Sequence, residues 1–286
     1  MPNITTTTAA NFIPELWSYE TLRAAESALV MAPLVKRYDE LVSGRGDTIH
    51  IPNISNLTTN SKVQGNEVTT QAVTETETTI LVDQWEETSF EIEDIVKVQS
   101  QYDLRSEYTE KAGFAIAKKV DSDLLALYAS LTSDDVGVYG TDVGDAELVA
   151  AIETLDLVDA PLTDRYFVMH PSQKSAVMKL DKFVSAYHLG DVNSPSPIQK
   201  GPNNRYLWGE IYGVPFYYTN QVPTTAGSPT QRHNLLFHKE AFALALQQAP
   251  RTQASYWQKD LAWIITTDVI YGMSVLRDTF GVEIRS

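Results

Sequence analysis

A long amphipathic segment without proline stands out in the first half of this 286-residue chain. Between residues 102 and 131, apolar side chains recur three or four positions apart, the spacing of one face of an α-helix. At a rise of 1.5 Å per residue the helix would be about 45 Å long, well above the usual length in globular proteins. Such a helix is expected to be the backbone of a domain. The apolar stripe consists of Leu104, Tyr108, Ala112, Ile116, Val120, Leu124, Leu127 and Leu131.

A second unusual segment, residues 53–79, is rich in Ser and Thr and poor in large apolar side chains. It follows a strand-like sequence at 48–52 and contains Gly65 and Asn66 near its middle, which predicts a two-stranded excursion folded back at that turn. An isolated hairpin is at best marginally stable in water, so this one is expected to find its partner outside its own domain. Disorder of the segment is the alternative interpretation.

The segments before the hairpin have few signals of their own. Residues 1–10 are polar and Thr-rich and are interpreted as a mobile arm. Residues 12–41 carry apolar side chains at spacings typical of short helical or irregular segments, broken at Pro14 and Pro33. This stretch is expected to lie along another surface, either in cis or on a neighbouring molecule.

The rest of the chain alternates strand and helix signals. Residues 80–100 indicate two short strands or one bent strand. Asp145 is predicted to cap a second helix. A buried strand at 165–169 turns directly into a short helix at 172–180, which argues for a mixed α/β layer. The remaining segments are a Pro- and Gly-rich loop at 188–204 and strand-like stretches at 207–222, 235–249 and 257–285.

Composition narrows the classes of function. The chain has 22 Lys and Arg against 37 Asp and Glu, and this net charge of -15 opposes a role in sequence-specific nucleic-acid binding. It has no Cys, so disulfides, thiol catalysis and thiolate metal sites are excluded. No apolar run approaches the roughly 20 residues that span a bilayer, and the N-terminus lacks the features of a secretory signal. We therefore predict that the chain neither enters a membrane nor is exported.

The sequence predicts no catalytic residue, no cofactor-binding residue and no metal ligand. Serine nucleophile elbows, phosphate-binding Lys loops and dinucleotide-binding Gly motifs are missing. No His lies four positions from another His or from a carboxylate in the arrangement of a zinc-protease helix. Exposed or hydrogen-bonded histidines are the preferred interpretation. The five are His50, His170, His188, His233 and His238.

Three further groups of side chains admit a functional or a structural interpretation. Carboxylates at 86–87, 91–94 and 134–135 could form an acid/base pair for glycoside hydrolysis, but solvated strand and loop faces are preferred. Lysines at 111, 118 and 119 could reduce repulsion from nearby DNA. The preferred interpretation is a mixed helix surface, in which these lysines form i, i+4 ion pairs among Glu107, Glu110 and Asp121. A third group is aromatic and could form a sugar-binding surface. Packing in the core, with the edges of the Tyr rings available at a subunit contact, is the preferred interpretation. The group consists of Trp208, Tyr212, Phe216, Tyr217 and Tyr218.

Three segments of the second half carry a resemblance to a known family. They are the strand-like sequence Gly-Glu-Ile-Tyr-Gly-Val-Pro-Phe-Tyr-Tyr-Thr-Asn at 209–220, the sequence Leu-Phe-His-Lys-Glu-Ala-Phe-Ala-Leu-Ala at 236–245, and Ile-Tyr-Gly-Met-Ser-Val-Leu-Arg at 270–277. Their order and spacing resemble those of tailed-bacteriophage major capsid proteins, whose fold is shared with bacterial encapsulin compartments. The resemblance implies an α+β fold with an N-terminal arm, an extended β-hairpin loop, a peripheral domain with a long spine helix, and an axial α/β domain.

The same resemblance implies a division of the chain. The N-terminal arm and its lead-in strand would occupy residues 1–48, and the extended loop, lying over an adjacent subunit, residues 49–83. The peripheral domain would occupy 84–139, with the spine helix at 102–131. The axial domain would occupy 140–234, and residues 235–286 would supply strands that return to both domains. Because only about 40 residues precede the hairpin, scaffolding is expected from a separate protein.

By resemblance the chain is a non-enzymatic capsid subunit that self-assembles, as pentamers and hexamers, into the icosahedral shell of a virion. The implied partners are other copies of the chain, a scaffolding protein, a portal, a decoration or cement protein, and double-stranded DNA bound without sequence specificity. Assembly would occur in the host cytoplasm. One alternative is an encapsulin-like compartment around a cargo enzyme. Another is an acidic carbohydrate-active enzyme or adhesin.

Overall fold

The computed structural model describes residues 29–42, 46–54, 59–62, 64–65, 67–68, 70–71, 75–94, 104–180 and 207–286. The predicted arm at 1–10, the predicted loop at 188–204 and His188 lie outside the described residues, as do the side chains of residues 54, 75, 104–106 and 207–208.

The described residues form helices and strands of very different lengths. The helices are α1 (Asp39–Val42), α2 (Leu104–Ala126), α3 (Asp145–Leu157) and α4 (Ser172–Val177). The strands are β1 (Lys36–Arg37), β2 (Thr48–Ile54), β3 (Glu75–Leu81), β4 (Gln84–Glu93), β5 (Val136–Gly137), β6 (Arg165–Met169), β7 (Leu207–Ile211), β8 (Val214–Tyr218), β9 (Thr224–Thr225), β10 (Gln231–His238), β11 (Phe242–Trp257), β12 (Ala262–Val275) and β13 (Gly281–Arg285).

The predicted long helix is α2, but it is shorter than the pattern suggests. It ends at Ala126 and is followed by a 3-10 turn, Leu127–Ser130, so the α-helical part is about 35 Å long. The last turn tightens, as is common at helix ends, and Leu131 is extended. The predicted residues Ala112, Ile116, Val120 and Leu124 are buried along one face.

Helix α2 packs on a four-stranded sheet with the order β1-β11-β12-β4, which we call the long sheet. Its strands are antiparallel except that β1 runs parallel to β11. Alternation along β4 directs Glu86 and Phe90 toward the helix, where Glu86 lies 3.5 Å from Lys119 and the Phe90 ring lies 5.4 Å from that of Tyr108. The buried hydroxyl of Tyr271 on β12 donates to Asp123 of the helix at 2.5 Å.

The other large sheet, the central sheet, has the order β5-β13-β10-β6-β8-β7, with β9 paired to β10. It contains parallel and antiparallel pairs, as the predicted α/β layer requires. The strand predicted at 165–169 is confirmed as β6, and it turns directly into α4, which ends at Val177 instead of residue 180. The Phe167 and Phe216 rings, 4.3 Å apart on β6 and β8, belong to a core that continues into the long sheet.

The start of α3 differs from the predicted position by one residue. Gly144, not Asp145, has the extended backbone of the cap, and Asp145 is the first helical residue. The carboxylate of Glu147 accepts a hydrogen bond from the Gly144 N–H at 3.0 Å and so satisfies a donor at the helix start. The Gly144 N–H is bound by Glu147, which lies within the helix, and not by a side chain at the cap position. The expectation of a capping side chain therefore placed the cap one residue too late, at Asp145.

Candidate assembly surfaces

The hairpin of β2 and β3 forms a separate two-stranded sheet. Its register pairs Thr48 with Leu81 and Ile54 with Glu75, which centres the reversal on residues 64–65, where the structure has a turn. This agrees with the turn predicted around Gly65. The described hairpin residues beyond Ile49 and Ile80 are half-buried or exposed. The hairpin therefore offers polar faces and backbone edges that nothing in the described chain covers.

The base of the hairpin is fixed to the long sheet by a small apolar cluster. Ile49 and Ile80 pack there with Val42, Val82, Ala243 and Ala245. The chain leaving β3 also passes very close to Gly272 on β12, where an added Cβ atom would lie 2.4 Å from the Leu81 carbonyl oxygen and 2.8 Å from the Val82 Cα atom. Only glycine fits this approach without moving the backbone, so this position helps to set the direction in which the hairpin leaves the sheet.

The segment before β1 is attached to helix α2 by one buried carboxylate. The Asp121 oxygens accept backbone N–H bonds from Val30 at 2.7 Å and from Met31 at 3.0 Å. Burial raises the pKa of Asp121 to about 6, against the opposing effect of these N–H donors. The prediction that Asp121 lies on a mixed, solvated helix surface is wrong. Its hydrogen-bond partners lie about 90 positions away in the sequence, so no local pattern indicates them. The i, i+4 pair of Lys119 with Asp123 at 2.8 Å fits that prediction.

Residues 29–42 as a whole lie in cis, one of the two placements left open by the sequence. Lys36 and Arg37 pair with Ala243 and Leu244 of β11 as a parallel strand. The Leu246 N–H donates to the Asp39 carboxylate at 2.8 Å, and Lys36 lies 3.1 Å from Glu240. Residues 36–39 are thus built into the long sheet of the same chain.

Helix α3 has an exposed apolar face as well as a buried one. Leu148, Ala151 and Leu155 are buried against the central sheet. On the other side Val149 is 46% exposed and Leu157 is 78% exposed. A helix that is apolar on two sides is typical of one covered on both. Sequence reasoning missed this face because it sought one apolar stripe in each helix, although Val149 and Leu157 were visible at helical spacing.

The face of the long sheet opposite α2 is polar and carries a charged cluster at its centre. The Asp268 carboxylate accepts two bonds from Arg251, at 2.8 and 3.0 Å, and one from the Trp85 Nε1–H at 3.3 Å. Burial acts to raise the pKa of Asp268, but these donors together hold it below its usual value. Glu87, Glu91 and Glu93 alternate outward on β4. The preferred interpretation of the acidic strand as a solvated face fits this arrangement, except that Glu86 faces the helix.

In the aromatic group at 208–218, the Phe ring is buried, whereas the Tyr rings are partly exposed. Phe216 is fully buried, and Tyr217 and Tyr218 are half-buried. Tyr212, in the turn between β7 and β8, is 49% exposed, and its hydroxyl donates to Asp145 at the start of α3. Partial burial and this carboxylate raise the pKa of Tyr212 to about 12. Trp208 has no described side chain.

The described histidines have partners of their own. His50 contacts Glu77 across the hairpin, and His233 lies 2.6 Å from the buried Glu283 carboxylate. His170 lies 2.9 Å from the Ser172 hydroxyl, and His238 accepts the Glu240 N–H at 3.2 Å. Among the described residues, no three His, Asp or Glu side chains converge as they would around a metal ion. No helix in the described part of the chain has the length and apolar character needed to cross a membrane.

The chain is similar in sequence and in structure to shell proteins. A sequence model described as phage capsid protein matches residues 75–282. The fold is similar to that of a Mycobacterium phage Che8 structure (TM-score 0.74, 24% identity, 90% of each chain covered) and of the capsid of the cyanophage P-SCSP1u (TM-score 0.70, 18% identity, 90% of this chain and 88% of that chain covered). It is also similar to a virus-like particle from Pyrococcus furiosus (TM-score 0.62, 10% identity, 95% of this chain and 99% of that chain covered). No curated protein matches the sequence.

Proposed function

This chain belongs to the phage capsid protein family and is a major capsid protein of a virion shell, and from that premise we propose that it closes the shell as pentamers and hexamers around double-stranded DNA. The observation that carries the proposal is the β2–β3 hairpin, whose two strands pair only with each other among the described residues. A free subunit gains little stability from such a hairpin. A subunit in a shell can lay it over a neighbour and bury both surfaces.

The division of the chain into functional parts belongs to the same proposal. Residues 1–48 form the arm, 49–83 the extended loop, 84–139 the peripheral domain, 140–234 the axial domain, and 235–286 the returning strands. The long sheet supports this division, since β4 joins α2 there, and so does the central sheet, since β6, β7 and β8 lie in it. The axial domain would meet its copies around the axis of each ring.

The proposal also includes the other proteins of the particle. A separate scaffolding protein, a portal and a decoration or cement protein complete the particle, which assembles in the host cytoplasm. DNA is enclosed without sequence-specific contacts, and the net charge of -15 opposes tight binding of the shell to its phosphates. The role needs no catalysis, and the structural character of the family supports this.

One alternative keeps the fold and changes the content. A structure of similar fold, matched over 95% of this chain, is a virus-like particle from Pyrococcus furiosus, and the second candidate is therefore an encapsulin-like compartment around a cargo enzyme. The two functions differ in what the closed shell protects, so the contents of purified particles discriminate between them.

The test is to express the chain alone and together with its neighbouring genes, then separate the products by size and image them by negative-stain electron microscopy. We expect closed shells or rings of five and six. Nuclease-resistant DNA inside particles made during infection would support the genome shell, and a protein cargo would support the compartment. Monomers under every condition would contradict both.

A further inference from the structure

The exposed face of α3 has the composition of an interface. Glu153 and Leu157 lie one turn apart on this face, with Val149 one turn before Glu153. Leu162, in the loop after the helix, is 76% exposed. Large apolar side chains exposed to this degree and grouped along one helix mark a surface that another molecule covers. The charged member of the group is a carboxylate.

The end of α4 has the opposite charge and the same apolar character. Met178, directly after the helix, is 51% exposed and is followed by the exposed Lys179. Lys174, one turn before Met178, is also exposed. Methionine adapts its shape to irregular apolar surfaces, so it suits a contact between helices. The end of α4 therefore complements the α3 face in charge and in apolar surface.

The two helices start side by side and cover different parts of the subunit. The Val143 N–H, just before α3, donates to the buried Gln173 side chain of α4 at 2.9 Å. From there α3 runs over β13, β5 and β10, whereas α4 continues from β6 in the other half of the central sheet. Two different complementary patches on one chain produce a head-to-tail contact, and head-to-tail contacts close rings when the rotation fits.

We propose that the α3 face of one subunit binds the Met178–Lys179 end of α4 in the next copy of this chain, with Leu157 against Met178 and Glu153 against Lys179. This inference rests on the proposed function, because it assigns the contact between neighbours in a pentamer or hexamer. It commits the surface to a second copy because the complementary apolar and charged side chains, Met178 and Lys179, lie exposed on this same chain.

Charge reversal tests the pairing. E153K and K179E each replace an attractive contact by a repulsive one at every interface of a ring, and we expect association about tenfold weaker per contact. The double variant E153K/K179E restores an opposite-charge pair at every interface and should recover ring formation. L157S removes apolar contact only, and should also weaken association about tenfold.

Mixing the two single variants gives a sharper result. If they alternate around a ring, every interface joins opposite charges, but alternation closes only with an even number of subunits. A 1:1 mixture of E153K and K179E should therefore recover rings of six and not rings of five, as counted by native mass spectrometry. E110K and K111E reverse the same charges at exposed positions on α2 and serve as matched controls that should assemble like the original chain.

The outcomes separate the inference from the proposed function. If the unaltered chain forms rings and E153K, K179E and L157S form them at the same concentration, the inference is overturned and the shell function stands. Recovery by neither the double variant nor the mixture also overturns the pairing. If the unaltered chain never forms rings or shells, the proposed shell function is overturned, and the inference that rests on it is overturned as well. Circular dichroism of each dilute variant establishes that it is folded.

Discussion

Gly272 of the long sheet lies against the chain that leaves the hairpin, and it yields a local prediction. In G272A the added methyl carbon would meet the backbone of Leu81 and Val82, which cannot turn away as a side chain could. We expect a loss of about 1–3 kcal/mol in the free energy of unfolding, as for other overpacked sites. S274A, two positions along the same strand, is the control. Thermal melts of both variants check this, and equal melting temperatures would contradict it.

Asp121 yields a prediction about pH. Because burial raises its pKa to about 6, the folded subunit binds the proton more tightly than the unfolded chain does. The stabilising contribution of the protonated group is complete below the pKa of the unfolded chain, near 3.8, and is lost as pH rises through 6.

The measurement is urea unfolding of dilute subunits with Asp121 and with D121N, whose side chain does not titrate. The free energy of unfolding of the original chain, minus that of D121N, should fall by about 1.4 kcal/mol between pH 5 and pH 7.5. A difference that stays constant, or rises, over this range would show that the N–H bonds from Val30 and Met31 outweigh burial.

At the scale of elements, signals carried within one segment predicted which elements form, although α2 and α4 end earlier than their patterns indicate. The α2 stripe, the strand β6 and the hairpin turn near Gly65 depend on neighbours a few residues apart, and the structure agrees with each. The parallel pairing of Lys36 with Ala243 could not be read, because it joins segments about 200 positions apart. The burial of Asp121 escaped prediction for the same reason, since a carboxylate on a charged helix looks exposed until its distant donors are known.

The hairpin yields a prediction at this scale. Lys62 is exposed and is the only Lys or Arg between residues 46 and 96, so trypsin has one cleavage site in the hairpin. We expect rapid cleavage there in free subunits and strong protection in shells, because a neighbour would cover the hairpin. Mass spectrometry of timed digests measures both rates. K62Q identifies the cut, and the exposed Lys259 is the internal comparison. Equal cleavage at Lys62 in both states would argue against a hairpin laid over a neighbour.

At the scale of the whole molecule, the net charge of -15 opposes the approach of one copy to another. Opposite charges that meet at chosen contacts, as inferred for Glu153 and Lys179, act over a few ångströms, whereas the repulsion between whole subunits acts over the screening length. That length falls from about 30 Å at 0.01 M salt to about 8 Å at 0.15 M. Moderate salt should therefore remove most of the general repulsion while leaving close contacts partly intact.

We accordingly expect the subunit concentration needed for assembly to fall several-fold between 0.01 M and 0.15 M NaCl, and light scattering of purified subunits measures it. Sucrose at matched osmolality controls for excluded-volume effects, because it leaves charge unscreened. At 1 M salt the screening length is about 3 Å, so ion pairs between subunits are weakened too. E153K and K179E should then assemble more like the original chain, whereas L157S should remain defective. If the subunit concentration needed for assembly instead rises between 0.01 M and 0.15 M NaCl, attractive ion pairs, and not the net charge, govern the approach of subunits.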